Sequence, residues 1–203
     1  VAGQVHDAGR GTVLTLPTTV SEKGFRQIYA TPLRWRLEMG YGVGDRVELL
    51  ADLLYSKVSA KDVRVGDVAG LDLKARFADY REAGWSLGAR YFLTDTGPWR
   101  PNVAVWATMS WLDRIPATFS VPAAGVTLAD TPFYDKGVVY GGGADLGVLY
   151  RVSKRLSLGA SAGLRYQSKP KSLEGLAGTG LENLNDVGSR LYVPVAVSTV
   201  LHF

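Results

Sequence analysis

The sequence contains no cysteine and only two histidines among its 203 residues. The absence of cysteine excludes disulfide bonds, thiolate metal sites and a cysteine nucleophile. It fits an oxidising compartment without identifying one. His6 lies beside Asp7 in a predicted N-terminal tail, and His202 is next to the last residue. We therefore expect neither histidine to be catalytic or to bind a metal, and we expect no cofactor.

A concentration of charge of one sign is also missing. The formal net charge is +4, and basic and acidic residues alternate along the chain instead of clustering. The electrostatic footprint of a nucleic-acid-binding protein is therefore absent, and we expect no nucleic-acid partner.

Long hydrophobic runs are absent as well. The longest nearly apolar stretch, residues 103–112, is too short for a membrane-spanning helix and includes Thr108 and Ser110. Residues 1–10 lack the charged and apolar segments of a signal peptide, which leaves a mature start or a cytosolic chain. No linker-like composition divides the sequence, so we expect a single domain over residues 1–203, with residues 1–10 as a tail.

Glycine and aromatic residues are plentiful, with 24 Gly, ten Tyr and five Trp. This composition favours strands and turns, and an alternation of apolar and polar residues with period two supports that interpretation. The apolar positions of seven predicted strands are Leu33, Trp35, Leu37, Met39 and Tyr41; Val47, Leu49, Ala51, Leu53 and Tyr55; Trp85, Leu87, Ala89, Tyr91 and Leu93; Val103, Val105, Ala107, Met109 and Trp111; Val138, Tyr140, Ala144, Leu146, Val148 and Tyr150; Leu156, Leu158, Ala160, Ala162, Leu164 and Tyr166; and Leu191, Val193, Val195, Val197, Leu201 and Phe203.

The connections between these strands alternate in length. Short turns are predicted at residues 42–46, 94–101 and 151–155, and long polar loops at residues 60–82, 114–136 and 168–188. Such alternation is typical of an up-and-down barrel with short periplasmic turns and long extracellular loops. Because bacterial barrels have an even number of strands, we predict an eighth strand at residues 11–16, followed by a first long loop at residues 17–24.

The residues opposite the apolar stripes decide between a membrane barrel and a soluble one. A soluble eight-stranded barrel such as a lipocalin also alternates, but its apolar face points inward. Here the opposite face carries charges that would fill the lumen, whereas complete apolar stripes facing water would be unfavourable. The predicted lumen residues are Arg34, Arg36, Glu38, Glu48, Asp52, Arg90, Asp145, Arg165 and Gln167. We therefore predict an all-β, eight-stranded antiparallel transmembrane β-barrel.

Aromatic residues near the strand ends support this orientation, because Tyr and Trp favour the membrane interface. We predict one girdle on the side of the short turns and one on the side of the long loops. The first comprises Tyr41, Tyr91, Tyr150 and Phe203, and the second comprises Tyr55, Trp85, Trp111, Tyr140 and Tyr166.

In strand count, loop alternation and C-terminal strand, the chain resembles the small eight-stranded outer-membrane barrels of Gram-negative bacteria, of the OmpA transmembrane domain and OmpX type. In that group the terminal aromatic and the alternating apolar residues before it form part of the signal read by the barrel-assembly machinery. Val193, Val195, Val197, Leu201 and Phe203 match this pattern, and Thr199 departs from it. The resemblance implies the bacterial outer membrane as the location, with its lipid, its lipopolysaccharide and the assembly machinery as partners.

The lumen charges have a structural and a functional interpretation. If Tyr41 lies opposite Val47, then Arg36 lies across from Asp52, and we predict that ion pair. Glu38, Arg90 and Asp145 are predicted at a similar height, which indicates a network across the lumen. An eight-stranded barrel is narrow enough for side chains to fill it, so the structural interpretation is favoured over a gate in a narrow pore.

Enzymatic activity is not expected. Barrel lipases and acyltransferases of this membrane need a histidine beside a serine at the lipid interface, and we expect no such pair here. The lumen acids face arginines, which keep carboxylates ionised.

Residues 141–147, GGGADLG, resemble a phosphate-binding loop but lie inside a predicted strand, where glycines relieve crowding beside Asp145.

The long loops offer surfaces for partners. Residues 117–121 and 126–128 are predicted to extend the strands as a hairpin around residues 122–125, which suits adhesion or docking. Lys74, Arg76, Lys169 and Lys171 are candidates for contact with lipopolysaccharide phosphates. We predict a non-enzymatic structural, anchoring or interaction role. This role covers the case in which the protein is a subunit of an envelope assembly and binds its partners through residues 60–82, 114–136 and 168–188. The alternative is a passive narrow channel for small or hydrophobic solutes, resembling the OmpW type.

Overall fold

A computed structural model describes residues 9–13, 16–173 and 188–202, and it describes side chains from residue 16 onward. The described chain is all-β, with one short helix and one 3-10 turn. In chain order the elements are β1 (Gly9–Val13), β2 (Leu16–Val20), α1 (Phe25–Ile28), β3 (Leu33–Gly42), β4 (Val47–Val58), β5 (Asp62–Val68), β6 (Leu71–Phe77), β7 (Tyr80–Phe92), β8 (Trp99–Leu112), β9 (Ile115–Val121), the 3-10 turn Pro122–Ala124, β10 (Val126–Tyr134), β11 (Gly137–Arg151), β12 (Leu156–Gln167), β13 (Arg190–Tyr192) and β14 (Val195–Leu201).

The larger of two antiparallel sheets has the strand order β3-β4-β7-β8-β11-β12, and both β13 and β14 pair with β12. These two last strands keep one register along β12, because Tyr192 pairs with Arg165 and Val195 pairs with Ala162. Pro194, which has no backbone N–H, lies at the interruption between them. β13 and β14 together occupy one strand position beside β12. The large sheet therefore has seven strand positions, which match the seven strands predicted from the alternation.

Short turns at residues 43–46, 93–98 and 152–155 connect the strand pairs at one end of the large sheet, called the lower end. The first turn differs from its prediction. Tyr41 pairs with Leu49 instead of Val47, so the β3–β4 register is shifted by two residues. The reason is that β3 continues through Gly42, which pairs with Glu48, and Val43 donates its N–H to the carbonyl of Val47, so the turn is shorter than predicted.

The segments predicted as long loops form most of a second sheet at the opposite, upper end. This small sheet has the strand order β1-β2-β5-β6-β9-β10. The predictions of polar loops at residues 60–82 and 114–136 were therefore wrong, because these segments bury apolar residues such as Val65 and Phe133 completely. The hairpin predicted around residues 122–125 is present as β9 and β10. Of residues 168–188, the structure describes 168–173 and 188, and Ser172 bridges to Tyr134.

The eighth strand predicted at residues 11–16 was placed wrongly. Residues 11–13 belong to β1 and Leu16 to β2, two neighbouring strands of the small sheet. Thr18 of β2 pairs with Val68 of β5, and Thr18 and Val20 are each 2% exposed. This burial attaches the segment to the small sheet. The predicted tail also changes, since Gly9 and Arg10 lie in β1, whereas residues 1–8 lie outside the described residues.

One apolar core joins the two sheets. Val58, Tyr80, Leu112 and Val139, at the upper ends of large-sheet strands, pack in the same cluster as small-sheet residues such as Phe133. Ile28 of α1 belongs to it as well. The small sheet is therefore packed onto the upper end of the large sheet.

The large sheet is curved into a half-barrel. Within the described ranges no backbone pairing joins β3 to β13 or β14, and a closed eight-stranded barrel is not observed. None of the helical segments in the described residues is long and apolar enough to cross a membrane.

Candidate functional site: the two faces of the large sheet

Side chains alternate between two faces of the large sheet that differ sharply in exposure. On β12, Leu158 and Leu164 are 49% and 50% exposed, whereas Ser157 and Arg165 are 3% and 4% exposed. We call the side with the exposed apolar residues the outer face and the other the inner face. The residues of each face are those that period two assigns to it, because successive strand residues point to opposite sides.

The outer face carries the aromatic residues predicted for the membrane interface. Each of those that the structure describes is exposed by more than a third: Tyr41, Tyr55, Trp85, Tyr91, Trp111, Tyr140, Tyr150 and Tyr166. Val195, Val197 and Leu201 of the predicted assembly signal are also exposed on this face. Phe203, which belongs to both predictions, lies outside the described residues.

The inner face holds all of the predicted lumen charges, and the lowest of three clusters surrounds Arg90. Its guanidinium donates from Nη1 to Glu48 Oε2 over 2.7 Å and from Nη2 to Glu38 Oε1 over 2.6 Å. The three residues come from β7, β4 and β3. One arginine therefore connects three neighbouring strands through two charge-assisted hydrogen bonds.

The middle cluster is organised by Trp106 of β8. Its indole N–H donates to Asp145 Oδ2 over 2.9 Å, and Arg165 forms two hydrogen bonds with the same carboxylate, one of them from Nε to Oδ1 over 3.1 Å. The guanidinium groups of Arg36 and Arg165 lie 5.0 and 5.2 Å from the centre of the Trp106 rings. These distances permit cation–π attraction from two cations to one indole.

The predicted ion pair between Arg36 and Asp52 is present, although its geometry differs from the prediction. Arg36 Nε lies 3.3 Å from Asp52 Oδ2, and the Asp52 side chain is fully buried. Because of the shifted register, Glu38 and not Arg36 lies directly across from Asp52. Arg36 reaches Asp52 along the diagonal, which a long side chain can do.

The predicted single network of Glu38, Arg90 and Asp145 is divided in two. Arg90 binds Glu38 and Glu48, whereas Asp145 binds Arg165 and Trp106. The division arises because Asp145 lies on β11, next to Arg165 on β12, which satisfies its charge locally.

The upper cluster surrounds Glu82, which was assigned to a loop in the sequence. Glu82 Oε2 accepts hydrogen bonds from Arg34 over 2.8 Å and from the Tyr80 hydroxyl over 2.9 Å. Its Oε1 accepts one from Gln167 Nε2 over 3.0 Å. Arg34 also donates to the Tyr192 hydroxyl over 2.8 Å. Glu82 is 2% exposed, and its partners come from the margin strand β3, from its own strand β7 and from β12.

The sequence contained a signal for these missed residues. Tyr80 and Glu82 continue the inner-face alternation of Gly84 and Ser86 upward along β7, and Trp106 occupies an inner-face position between two apolar outer-face residues. Extending period two beyond the apolar stripes would have identified them.

A serine and a histidine meet at the lower end, which the sequence analysis did not expect. The Ser157 hydroxyl oxygen lies 2.8 Å from Nε2 of His202. Ser157 is 3% exposed and lies on the inner face of the sheet.

Charged residues outside the large sheet form exposed pairs. Arg76 lies 3.7 Å from Asp62, and Lys171 lies 3.0 Å from Asp135, so two of the four candidates for lipopolysaccharide contact already have acidic neighbours. The hydrogen bond from Lys171 lowers the pKa of Asp135. In the lower turns, the hydrogen bond from Arg46 lowers the pKa of Asp95 in the same way. Tyr29 is buried between the sheets, and burial raises the pKa of its hydroxyl.

Comparison with protein-family models, with curated proteins and with solved structures finds no match to this chain. In the described ranges no group of three or more histidine, aspartate or glutamate side chains is arranged to hold a metal ion. The contrast between the exposed apolar outer face and the charged inner face is therefore the main structural feature that bears on function.

Proposed function

We propose that the large sheet is the wall of an eight-stranded antiparallel transmembrane β-barrel in the outer membrane of a Gram-negative bacterium. The short turns face the periplasm, and the small sheet lies outside the cell. The protein has a non-enzymatic structural, anchoring or interaction role, which includes membership of an envelope assembly. Its partners are outer-membrane lipid, lipopolysaccharide and, during biogenesis, the barrel-assembly machinery.

The observation that carries this proposal is the inverted distribution of polarity. Leu37, Leu53 and Leu87 are 54% to 67% exposed on the outer face, while the charges of the inner face are largely buried. Contiguous exposed apolar surface of this kind is unfavourable in water and favourable against lipid. Rows of exposed Tyr and Trp at both ends of the stripes fit the two membrane interfaces.

The packing of the inner face favours a structural role over a channel. Three clusters of arginines and acids occupy the inner face at three levels, and buried charges require such pairing. The apolar core beneath the small sheet covers the upper end. A narrow barrel filled in this way has little space for a solute path.

Quenching of tryptophan fluorescence by brominated lipids tests the proposal. Trp35 and Trp111 are 68% and 47% exposed on the outer face, whereas Trp106 is 6% exposed on the inner face. Variants that retain a single tryptophan, with the others changed to Phe, are reconstituted in vesicles of brominated phosphatidylcholine. We expect strong quenching of Trp35 and Trp111 and weak quenching of Trp106.

Equal, weak quenching of all three single-tryptophan variants would contradict the membrane location. Equal, strong quenching would contradict the assignment of inner and outer faces. Fractionation of the native protein checks the compartment separately, since recovery with the soluble fraction after cell disruption argues against an integral outer-membrane protein.

A further inference from the structure

Three arginines lie at the lower end of the inner face, each on or beside a different strand. Arg100 lies on β8, on the same face as Trp106, and Arg151 lies on β11, where it pairs with the inner-face residue Ser157. Arg155 is in the turn before β12 and precedes Ser157 by two residues, so period two places it on that face as well. The three arginines therefore lie together at the lower margin of the inner face.

These arginines have no acidic partner in the part of the chain that the structure describes. No aspartate or glutamate there forms an ion pair with any of the three. Glu48 and Asp95 act on Arg100 from a greater distance. Glu48 is bound to Arg90, however, and Asp95 is bound to Arg46. The lower end therefore carries positive charge that the described acids do not neutralise.

The guanidinium of Arg100 is held in place by its neighbours. It lies 3.7 Å from the centre of the Phe92 ring, and its Nη2 donates to the backbone carbonyl of Asp45 over 3.0 Å. Arg151 repels it as a like charge. A cation that is already fixed loses little side-chain entropy on binding, and a bound anion offsets the repulsion. Both features favour an anionic partner at this position.

The spacing of the three arginines suits an extended peptide. Arg100 pairs directly with Leu149, so Arg151 is its diagonal neighbour on β11. Arg155 is diagonal to Arg151 in the same way, because Arg151 pairs with Ser157. Diagonal neighbours lie about 7–8 Å apart, and alternate residues of an extended chain lie about 6.4–6.8 Å apart. Carboxylates at alternate positions of a peptide can therefore meet successive guanidinium groups, which bind them through paired hydrogen bonds.

The surroundings of the arginines argue against lipid as the partner. On the outer face of the lower end, Val43, Leu93 and Val152 are 53%, 53% and 50% exposed. Lipid would therefore meet apolar side chains at this level. Arg151 and Arg155 are exposed on the opposite face, which a ligand reaches from the aqueous side of the lower end.

We propose that the lower end binds an acidic peptide segment of another envelope protein, whose acidic residues at alternate positions are held by Arg100, Arg151 and Arg155. The inference rests on the proposed function, which places the lower end in the periplasm. It adds a second binding surface to the interaction role, at the end of the molecule opposite to the small sheet.

Two peptides of equal composition test the proposal. The alternating peptide is Glu-Ser-Glu-Ser-Glu, and the block peptide is Glu-Glu-Glu-Ser-Ser. Both carry fluorescein, and their binding to the full polypeptide in zwitterionic detergent micelles is followed by fluorescence anisotropy at low ionic strength. We expect tighter binding of the alternating peptide, because only its carboxylates match the spacing of the arginines. Added salt should weaken the binding of both peptides, since the contacts are exposed charges.

A pair of double variants locates the site. Arg151→Gln with Arg155→Gln should weaken binding of the alternating peptide by about tenfold or more, because it removes two of three charge-assisted contacts. Arg64→Gln with Arg76→Gln is the matched control at the upper end, where these side chains are 63% and 67% exposed. The control removes the same charge and should leave the affinity unchanged. Urea unfolding of both double variants checks that they remain folded.

Three results would overturn the peptide site: equal affinity for the two peptides, equal weakening by the two double variants, or displacement of the alternating peptide by short-chain phosphatidylglycerol more readily than by the unlabelled peptide. The last result would identify a lipid headgroup as the ligand. Lipid quenching of Trp35 is measured on the same protein in brominated vesicles. Weak quenching contradicts the membrane location whatever the peptides show, and loss of the preference for the alternating peptide contradicts the peptide site whatever the quenching shows.

Discussion

The two sheets of this protein use the same alternation in opposite ways. In the small sheet, Leu73 and Phe77 of β6 are 7% and 2% exposed, while Arg76 between them points outward with a 67% exposed side chain. In the large sheet, Leu158 and Leu164 of β12 are about half exposed, and Arg165 is buried. The two sheets thus bury opposite kinds of side chain, which is the contrast expected if, as we propose, water surrounds the small sheet and lipid surrounds the large one.

The largest effect is expected in the apolar core under the small sheet. Phe133 is 0% exposed, and Phe133→Ala removes a ring that contacts Phe77 at a centroid distance of 5.1 Å. We expect a loss of about 3–5 kcal/mol of unfolding free energy, from lost burial and the cavity left behind. Urea unfolding followed by fluorescence measures it. Leu128→Ala, at a 51% exposed position on the same strand, is the control. A comparable loss in the control would indicate that this sheet has no separate core.

The same change made in both sheets gives the sharpest test of the contrast. Leu87 lies between Trp85 and Tyr91 on the outer face and is 54% exposed, and Leu71 of the small sheet is 41% exposed. Leu87→Arg should cost about 2–4 kcal/mol of folding free energy in lipid vesicles, because it places a charge in hydrocarbon. Leu71→Arg should stay within about 0.5 kcal/mol of the parent. Equal, small effects would show that both positions face water.

A smaller effect is expected from crowding on the inner face. A Cβ added at Gly163 would lie 2.9 Å from the Cα of Asp145, whereas one added at Gly42 meets nothing within 4 Å. Gly163→Ala should therefore lower the unfolding free energy by about 1–3 kcal/mol. Gly42→Ala should be neutral or stabilise by about 0.4–1 kcal/mol. Denaturant titration of both variants tests this, and a tolerated Gly163→Ala would mean that the strands carrying Asp145 and Arg165 are loosely packed.

The smallest expected effect is on conductance. Asp52 is buried beside Arg36, and Asp52→Ala removes one charge from an interior that other side chains still fill. In planar bilayers we expect negligible conductance from the parent and no increase in the variant. Stepwise openings in the parent that change with Asp52→Ala would favour the narrow-channel alternative over the structural role.

The sequence by itself determined which residues share a face. All of the predicted lumen charges lie on the inner face, and all of the predicted interface aromatics that the structure describes lie on the outer face. The hairpin around residues 122–125 and the positions of the short turns were also predictable. These features follow from the local geometry of an extended chain, in which successive side chains alternate, and from the preferences of turn residues.

Only the tertiary structure decided the pairings. Arg90 takes both Glu38 and Glu48 because three strands align at that level, and the two-residue shift between β3 and β4 depends on the turn that closes them. The small sheet could not be foreseen, since its strands pair across long separations, as β2 does with β5 and β6 does with β9. The alternation of apolar and polar residues predicts only that a segment has two different faces. Contacts between residues distant in sequence determine which strand lies beside that segment and what surrounds each face.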